Sequence, residues 1–206
     1  MSDRRPGMRR ALADDRGITL VELVIYSMIL AVVVAAVGSM TVAGLAGQRS
    51  IGAAGSAASE AQVVTESITN GVRTAAFIAG PTAVPGVGTI LATTTASFPS
   101  VSSVEWECRA WLATTDGRLF QRTAEATGPI APPASLDDAA LTGWILLAEG
   151  VSPVAGSTEI FGATTTKVAV RASIAGRNDG TPTIVDVTAT RDTLPSFATL
   201  GANPCE

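Results

Sequence analysis

A nearly continuous apolar run near the N-terminus constrains this chain more than any other feature. The run extends from Ile18 to Val37, and about 20 such residues span a bilayer as a helix. Its interruptions are Thr19, Glu22, Tyr26 and Ser27. A carboxylate in hydrocarbon is costly, and such residues usually have a partner and a function. The sequence therefore predicts a membrane span in which Glu22 is a candidate functional residue.

Charge is distributed unevenly along the chain. Residues 1–17 hold five arginines against three aspartates, whereas the remainder holds nine Lys and Arg against fifteen Asp and Glu. A basic start before an apolar run predicts that the start stays in the cytoplasm. Because phosphate binding needs a basic surface, the acidic remainder is not expected to bind nucleic acid directly.

A second periodicity follows the span. Apolar or small residues recur at steps of three and four: Ile51, Ala54, Ala58, Ala61, Thr65, Ile68, Val72 and Ala75. This stripe predicts that the helix continues over 46–80 with one face to pack. Gly80-Pro81 is predicted to end it. A flexible Gly/Ala/Ser linker at 38–60 is the alternative interpretation.

The pattern changes to a period of two in 81–206. Residues 104–112, 167–175 and 183–191 are predicted strands, and Asp116-Gly117 is a hairpin signal. The stretch 144–151 is predicted to be a short buried segment, either a helix or a strand, and 158–161 is a predicted strand. Residues 125–143 are a predicted loop. The expected fold class is α+β: a long N-terminal helix, transmembrane in its first half, packed on an antiparallel β-sheet.

Residue types exclude several functions. The chain has no histidine and two cysteines, which excludes Ser-His-Asp and Cys-His catalysis and a four-thiolate zinc site. No phosphate-binding loop sequence occurs. The acid pairs Glu105/Glu107 and Asp137/Asp138 are interpreted as a solvated strand face and a loop, with calcium at the loop as the alternative. We therefore expect no enzymatic activity, no cofactor and no metal.

The residues around the start of the run carry a family resemblance. Arg16-Gly17, Ile18, Thr19 and an acid at the fifth place after the glycine, Glu22, resemble the type III signal sequence of the type IV pilin superfamily. The resemblance implies that a prepilin peptidase cuts between Gly17 and Ile18 at the cytoplasmic face. It also implies that the new, often methylated, amine of Ile18 pairs with Glu22 of a neighbouring subunit in a filament.

Two positions depart from the family pattern. The first residue after the cut is Ile18 where the family most often has Phe. Ser39 stands where major pilins often have a helix-breaking proline, so no proline kink is expected there.

The order of motifs in the second half resembles the J-type minor pseudopilins of type II secretion and the minor pilins of type IV pili. Those proteins commonly have the motif L-x-R after a hairpin, which corresponds here to Leu119 to Arg122, one residue longer. The motif L-x-x-G-V that follows corresponds to Leu147 to Val151. The resemblance implies a leader at 1–17, a transmembrane and assembly helix at 18–45, its amphipathic continuation at 46–80 and a globular domain at 81–206. It implies a structural subunit of the cytoplasmic membrane, with other pilin-like subunits as partners and the globular domain outside the cytoplasm.

The two cysteines, Cys108 and Cys205, both follow the apolar run. Outside the cytoplasm a disulfide between them is expected, and the resemblance supports it, because pilins often close their C-terminal region in this way. Two free thiols are the alternative. For the whole chain the alternative is a single-pass anchored or Sec-secreted β-rich binding module without filament assembly, with cleavage after Ala46 in the secreted case.

Overall fold

The computed structural model describes residues 19–100, 103–125, 128–176 and 181–192, together with Asn203 and Cys205. Gly17, Ile18 and the leader at 1–17 lie outside the described residues. The chain divides into two compact units, one ending at Gly47 and the other beginning at Gln48. Each unit is described by itself below.

Helix α1 extends over Leu20–Arg73. Thr19 caps its start, because the Thr19 hydroxyl and carbonyl oxygens accept the backbone N–H groups of Glu22 and Leu23 at 3.2 and 3.1 Å. Large apolar side chains of the N-terminal unit are exposed, Leu20 to 78%. Within the described residues, α1 is one helix that is long and apolar enough to cross a membrane. Its bounds include the segment 38–60, for which a linker was the alternative.

The part of α1 in the second unit buries a stripe of mostly small residues: Ala53, Ala57, Ala61, Val64, Ile68 and Val72. The predicted stripe is right at Ala61, Ile68 and Val72. It is wrong at Ile51, which is 75% exposed, and at Thr65, which is half-buried beside the fully buried Val64. The close approach of Gly176 to helix α1 determines which residues of the helix are buried. Gly176, at φ +71°, packs so near that a Cβ there would lie 3.1 Å from the backbone nitrogen of Ala57, which favours alanine on this side of the helix.

The helix ends earlier than Gly80-Pro81. Its last turn closes with the N–H of Thr74 on the carbonyl of Asn70 at 3.2 Å, and strand β1 (Ala75–Val84) begins at once. Residues 75–79 pair with 92–95 of the next strand, so tertiary pairing overrides the helical periodicity. The dipeptide Gly80-Pro81 lies at a register shift inside β1.

Five antiparallel strands form sheet A in the chain order β1-β2-β3-β4-β5. After β1 they are β2 (Gly88–Ser100), β3 (Ser103–Thr114), β4 (Arg118–Glu125) and β5 (Ile145–Glu149). The predicted Asp116-Gly117 hairpin joins β3 to β4, with Gly117 at φ +81°, a backbone conformation that favours glycine. The stretch 144–151 is a strand rather than a helix in its central part.

Four further strands form sheet B: β6 (Val151–Pro153), β7 (Phe161–Ala163), β8 (Lys167–Ile174) and β9 (Thr183–Thr190). Strand β8 pairs with β9 over its full length, from Lys167 opposite Thr190 to Ile174 opposite Thr183. It also pairs with β6 and β7, which therefore lie in succession along its other edge. The predicted second hairpin is confirmed in its strands, and the central residues 177–180 of its turn lie outside the described residues.

Two hydrophobic clusters lie on opposite faces of sheet A. The larger packs α1 against sheets A and B around Ile68, Trp111 and Phe161. The smaller contains Leu112, Phe120 and Trp144, together with residues of the stretch 128–144, which has no helix or strand. The α+β fold class, a long N-terminal helix with antiparallel sheets, is confirmed.

Candidate functional site

Glu22 lies in the first turn of α1. Thr19 and Glu22 have the Thr-x-x-Glu spacing of a capping box, and the hydroxyl of Thr19 accepts the N–H of Glu22. A negative charge is favourable at this end of a helix. Because Ile18 lies outside the described residues, the pairing of its amine with Glu22 stays a prediction.

Tyr26 contacts the Glu22 carboxylate, a feature that the sequence analysis missed. The Tyr26 hydroxyl donates a hydrogen bond to Oε1 of Glu22 at 3.2 Å. The two residues are four apart, so they lie on one helix face one turn from each other. That spacing, together with the fact that Tyr26 is the only tyrosine of the chain, is the signal that could have predicted the contact.

The serine and threonine hydroxyl groups of residues 20–47 bond to the backbone of their own helix. Ser27 donates to the carbonyl of Val24 at 2.9 Å, Ser39 to that of Ala36 at 2.8 Å, and Thr41 to that of Val37 at 2.9 Å. Polar groups in hydrocarbon must find partners inside the protein. The described part of this unit therefore combines an exposed apolar surface with internally satisfied polar groups, as a lipid environment requires.

The structure brings Cys108 and Cys205 together as a disulfide, with their Cα atoms 5.8 Å apart. Both residues are buried, and Cys108 lies on the face of β3 opposite to α1, as Ala110 does. Asn203 holds the same tail, because its Oδ1 accepts the hydroxyl of Thr94 at 2.6 Å and the N–H of Cys205 at 3.1 Å. The pairing expected from sequence fits this geometry.

The carboxylates of the second unit have cationic or hydroxyl partners at several positions. Arg109 contacts Glu107 at 2.9 Å, and the hydroxyl of Ser135 donates to Asp137 at 3.0 Å. Among the residues that the structure describes, no three His, Cys, Asp or Glu side chains cluster so as to hold a metal ion.

The turn between β3 and β4 contains a carboxylate, that of Asp116, with two side-chain donors. Asp116 accepts hydrogen bonds from the side chains of Thr114 at 2.5 Å and Arg118 at 2.8 Å. Partial burial opposes ionisation of Asp116, but these bonds outweigh it and hold its pKa below the usual range. The same contact with Asp116 raises the pKa of Arg118. Arg118 also donates to the carbonyl of Leu136 at 3.1 Å, which ties the turn to the stretch 128–144.

A groove of about 490 Å³ lies between α1 and the edge strand β9. Its lining includes the polar side chains Gln62, Glu66 and Asp186. A nitrogen of the Arg171 guanidinium lies 3.5 Å from the carboxylate of Asp186.

Comparison with known proteins adds no relative. No protein-family model matches the chain, and no curated protein and no solved structure is significantly similar to it.

Proposed function

We propose that this protein is a minor pilin or pseudopilin, a structural subunit that primes or tips a filament of the type IV pilus or type II secretion kind. Helix α1 is the observation that supports the proposal most directly. Its first part exposes an apolar surface long enough to cross a membrane, and its last part packs on an antiparallel sheet. The resemblance to pilins implies both of these features.

In this proposal the chain is inserted in the cytoplasmic membrane and cut between Gly17 and Ile18 by a prepilin peptidase. The new amine of Ile18 is cationic at neutral pH. It pairs with Glu22 of a neighbouring pilin-like subunit, which removes an uncompensated carboxylate from hydrocarbon. The role is mechanical rather than catalytic, and serves secretion, adhesion, motility or DNA uptake.

The first test is to sequence the N-terminus of the protein extracted from membranes of its native host. The proposal predicts a chain that starts at Ile18. An intact Met1, or a start after Ala46, would contradict it and favour an anchored or secreted β-rich module. Crosslinking between positions in 18–45 and other pilin-like helices is expected for a subunit and not for an anchor.

Replacing Glu22 tests the assembly step. Glu22→Ala removes the carboxylate but leaves an apolar helix that still inserts, so cleavage is retained and recovery in sheared filaments is expected to fall at least tenfold. Immunoblots of filament and membrane fractions measure both. Ser39→Ala, which removes a hydroxyl bonded to its own helix, is the matched control. Wild-type recovery of Glu22→Ala would exclude the assigned role.

A further inference from the structure

Every polar side chain of the N-terminal unit, as described from residue 19 to residue 47, finds a partner in its own helix. The serine and threonine hydroxyl groups do so by donating to or accepting from the backbone. Glu22 differs, because an ionised carboxylate only accepts hydrogen bonds. It accepts one from the hydroxyl of Tyr26, at 3.2 Å from Oε1.

The chemistry of that donor is informative. A phenol donates a hydrogen bond without bringing a charge, so Tyr26 stabilises the carboxylate but does not neutralise it. A lysine or arginine at the same place would form an ion pair within the helix and would compete with any cation from outside. Tyrosine therefore keeps the negative charge of Glu22 for an intermolecular partner.

We propose that Tyr26 is the positioning residue of the assembly site, holding the Glu22 carboxylate in the unassembled subunit and presenting its second oxygen to a cationic group of a neighbouring subunit. The inference rests on the proposed function, because it takes Glu22 as the residue that docks the neighbour. A carboxylate accepts several hydrogen bonds through two oxygens. With Oε1 bonded to the phenol, Oε2 keeps lone pairs for the incoming donor.

Preorganisation is the physical gain. A free glutamate side chain samples several rotamers and loses that freedom when a neighbour docks. The bond to Tyr26 restricts the carboxylate to one helix face before docking, so less entropy is lost in the assembly step. The low dielectric of a bilayer strengthens such a bond relative to water.

The chain offers a direct test, because Tyr26 is its only tyrosine. The full processed protein is prepared with ¹³C at the tyrosine Cζ and placed in lipid nanodiscs, where it gives one labelled tyrosine resonance. Glu22→Ala is expected to move that resonance, since the phenol loses its acceptor. Ser27→Ala is the control: it removes a hydroxyl that donates to the carbonyl of Val24, so the tyrosine resonance is expected to stay in place. An identical resonance in wild type and Glu22→Ala would overturn the proposal.

A second experiment measures the consequence for assembly in the native host. Tyr26→Phe keeps the ring and removes only the hydroxyl, so cleavage and membrane level are expected to stay at wild type. Recovery in filaments is expected to fall about threefold, the effect of a hydrogen bond of average strength in a membrane. Ser27→Ala is the control, and wild-type recovery of Tyr26→Phe would overturn the positioning role.

These readouts separate the two proposals. A wild-type chain that starts at Met1 or after Ala46 contradicts the filament function, whatever the tyrosine resonance does. Loss of assembly in Glu22→Ala with full assembly in Tyr26→Phe leaves the filament function intact and removes Tyr26 from the site.

Discussion

Gly71 shows how one small residue fixes the contact between α1 and sheet A. It is buried against the ring of Trp111, and a Cβ at Gly71 would overlap that ring, 2.6 Å from Cζ2. Trp111 is fully buried. From sequence alone, a glycine in the last turns of a helix is expected to destabilise the helix. Here the absence of a side chain at Gly71 leaves the space that the ring of Trp111 occupies.

Gly71→Ala is accordingly expected to lower the free energy of unfolding by about 1–3 kcal/mol, the usual cost of overpacking a filled core. Urea unfolding of the detergent-solubilised protein, followed by tryptophan fluorescence, measures the change. Gly52→Ala is the matched control, because a Cβ there meets nothing within 4 Å and alanine raises helix propensity by up to about 1 kcal/mol. Equal stability of the two variants would contradict the assigned contact.

Asp116 makes the stability of the folded protein depend on pH. Its pKa is lowered in the folded protein, so its contribution to stability is present above the unfolded pKa and is lost as the pH falls through the folded one. Asp116→Asn is expected to lower stability at pH 7 by about 0.2–1 kcal/mol, as for a partly exposed ion pair. The difference from wild type should shrink in thermal unfolding curves as the pH falls below the usual pKa range of an aspartate. A difference that persisted there would assign the effect to packing.

Single residues also show where sequence analysis stops. Glu22 could be singled out because a carboxylate in an apolar run violates a general rule. The role of Gly71 could not, because it depends on Trp111, which is distant along the chain and meets it only after folding. The contact of Tyr26 lies between these cases, because its four-residue spacing from Glu22 is visible in the sequence and would have allowed the contact to be predicted.

At the scale of elements, a chain of hydrogen bonds joins α1 to sheet A. The indole N–H of Trp111 donates to the hydroxyl oxygen of Ser67 at 2.9 Å, and that hydroxyl donates to Oε1 of Gln121 at 2.6 Å. Ser67 satisfies a buried donor on β3 and reaches β4 as well. The helix is therefore fixed in register by polar bonds in addition to its buried alanine and valine stripe.

Ser67→Ala is expected to cost about 1–3 kcal/mol of unfolding free energy, because the buried indole N–H loses its acceptor. Ser56→Ala is the control, since that hydroxyl bonds to Ala53 of its own helix at 2.8 Å, and a change within about 0.5 kcal/mol is expected. Differential scanning calorimetry compares the two. A Ser67→Ala protein as stable as the control would mean that water replaces the lost hydroxyl.

The elements themselves were predictable to different degrees. Strands β8 and β9 alternate in hydrophobicity, and their hairpin was predicted within a residue or two. The end of α1 was not, because Ala75–Ala79 continue the helical periodicity and become β1 only through pairing with β2. Long-range pairing of this kind leaves no local pattern in the sequence.

At the scale of the whole globular unit, the disulfide joins the third strand to the end of the chain, 97 residues later. Closing so long a loop restricts the unfolded chain strongly and contributes about 4–5 kcal/mol in the chain-entropy model. Reduction with a thiol is expected to lower the thermal midpoint of the wild type markedly. The double variant Cys108→Ser, Cys205→Ser serves as the control and should not respond to the thiol. An unchanged wild-type midpoint would show that the bond is not formed in solution.

The same covalent link has a mechanical consequence. If the chain were pulled between α1 and its C-terminal tail, the load would cross from β3 directly to Cys205 through the two sulfur atoms. Strands β4 to β9 lie inside the loop that the disulfide closes between Cys108 and Cys205, so they would carry no tension along the chain. The loop withholds roughly 330 Å of extended chain at about 3.4 Å per residue over its 97-residue separation. Under such a load the chain could therefore lengthen only outside this loop, and the length inside it would become available only after the disulfide is reduced.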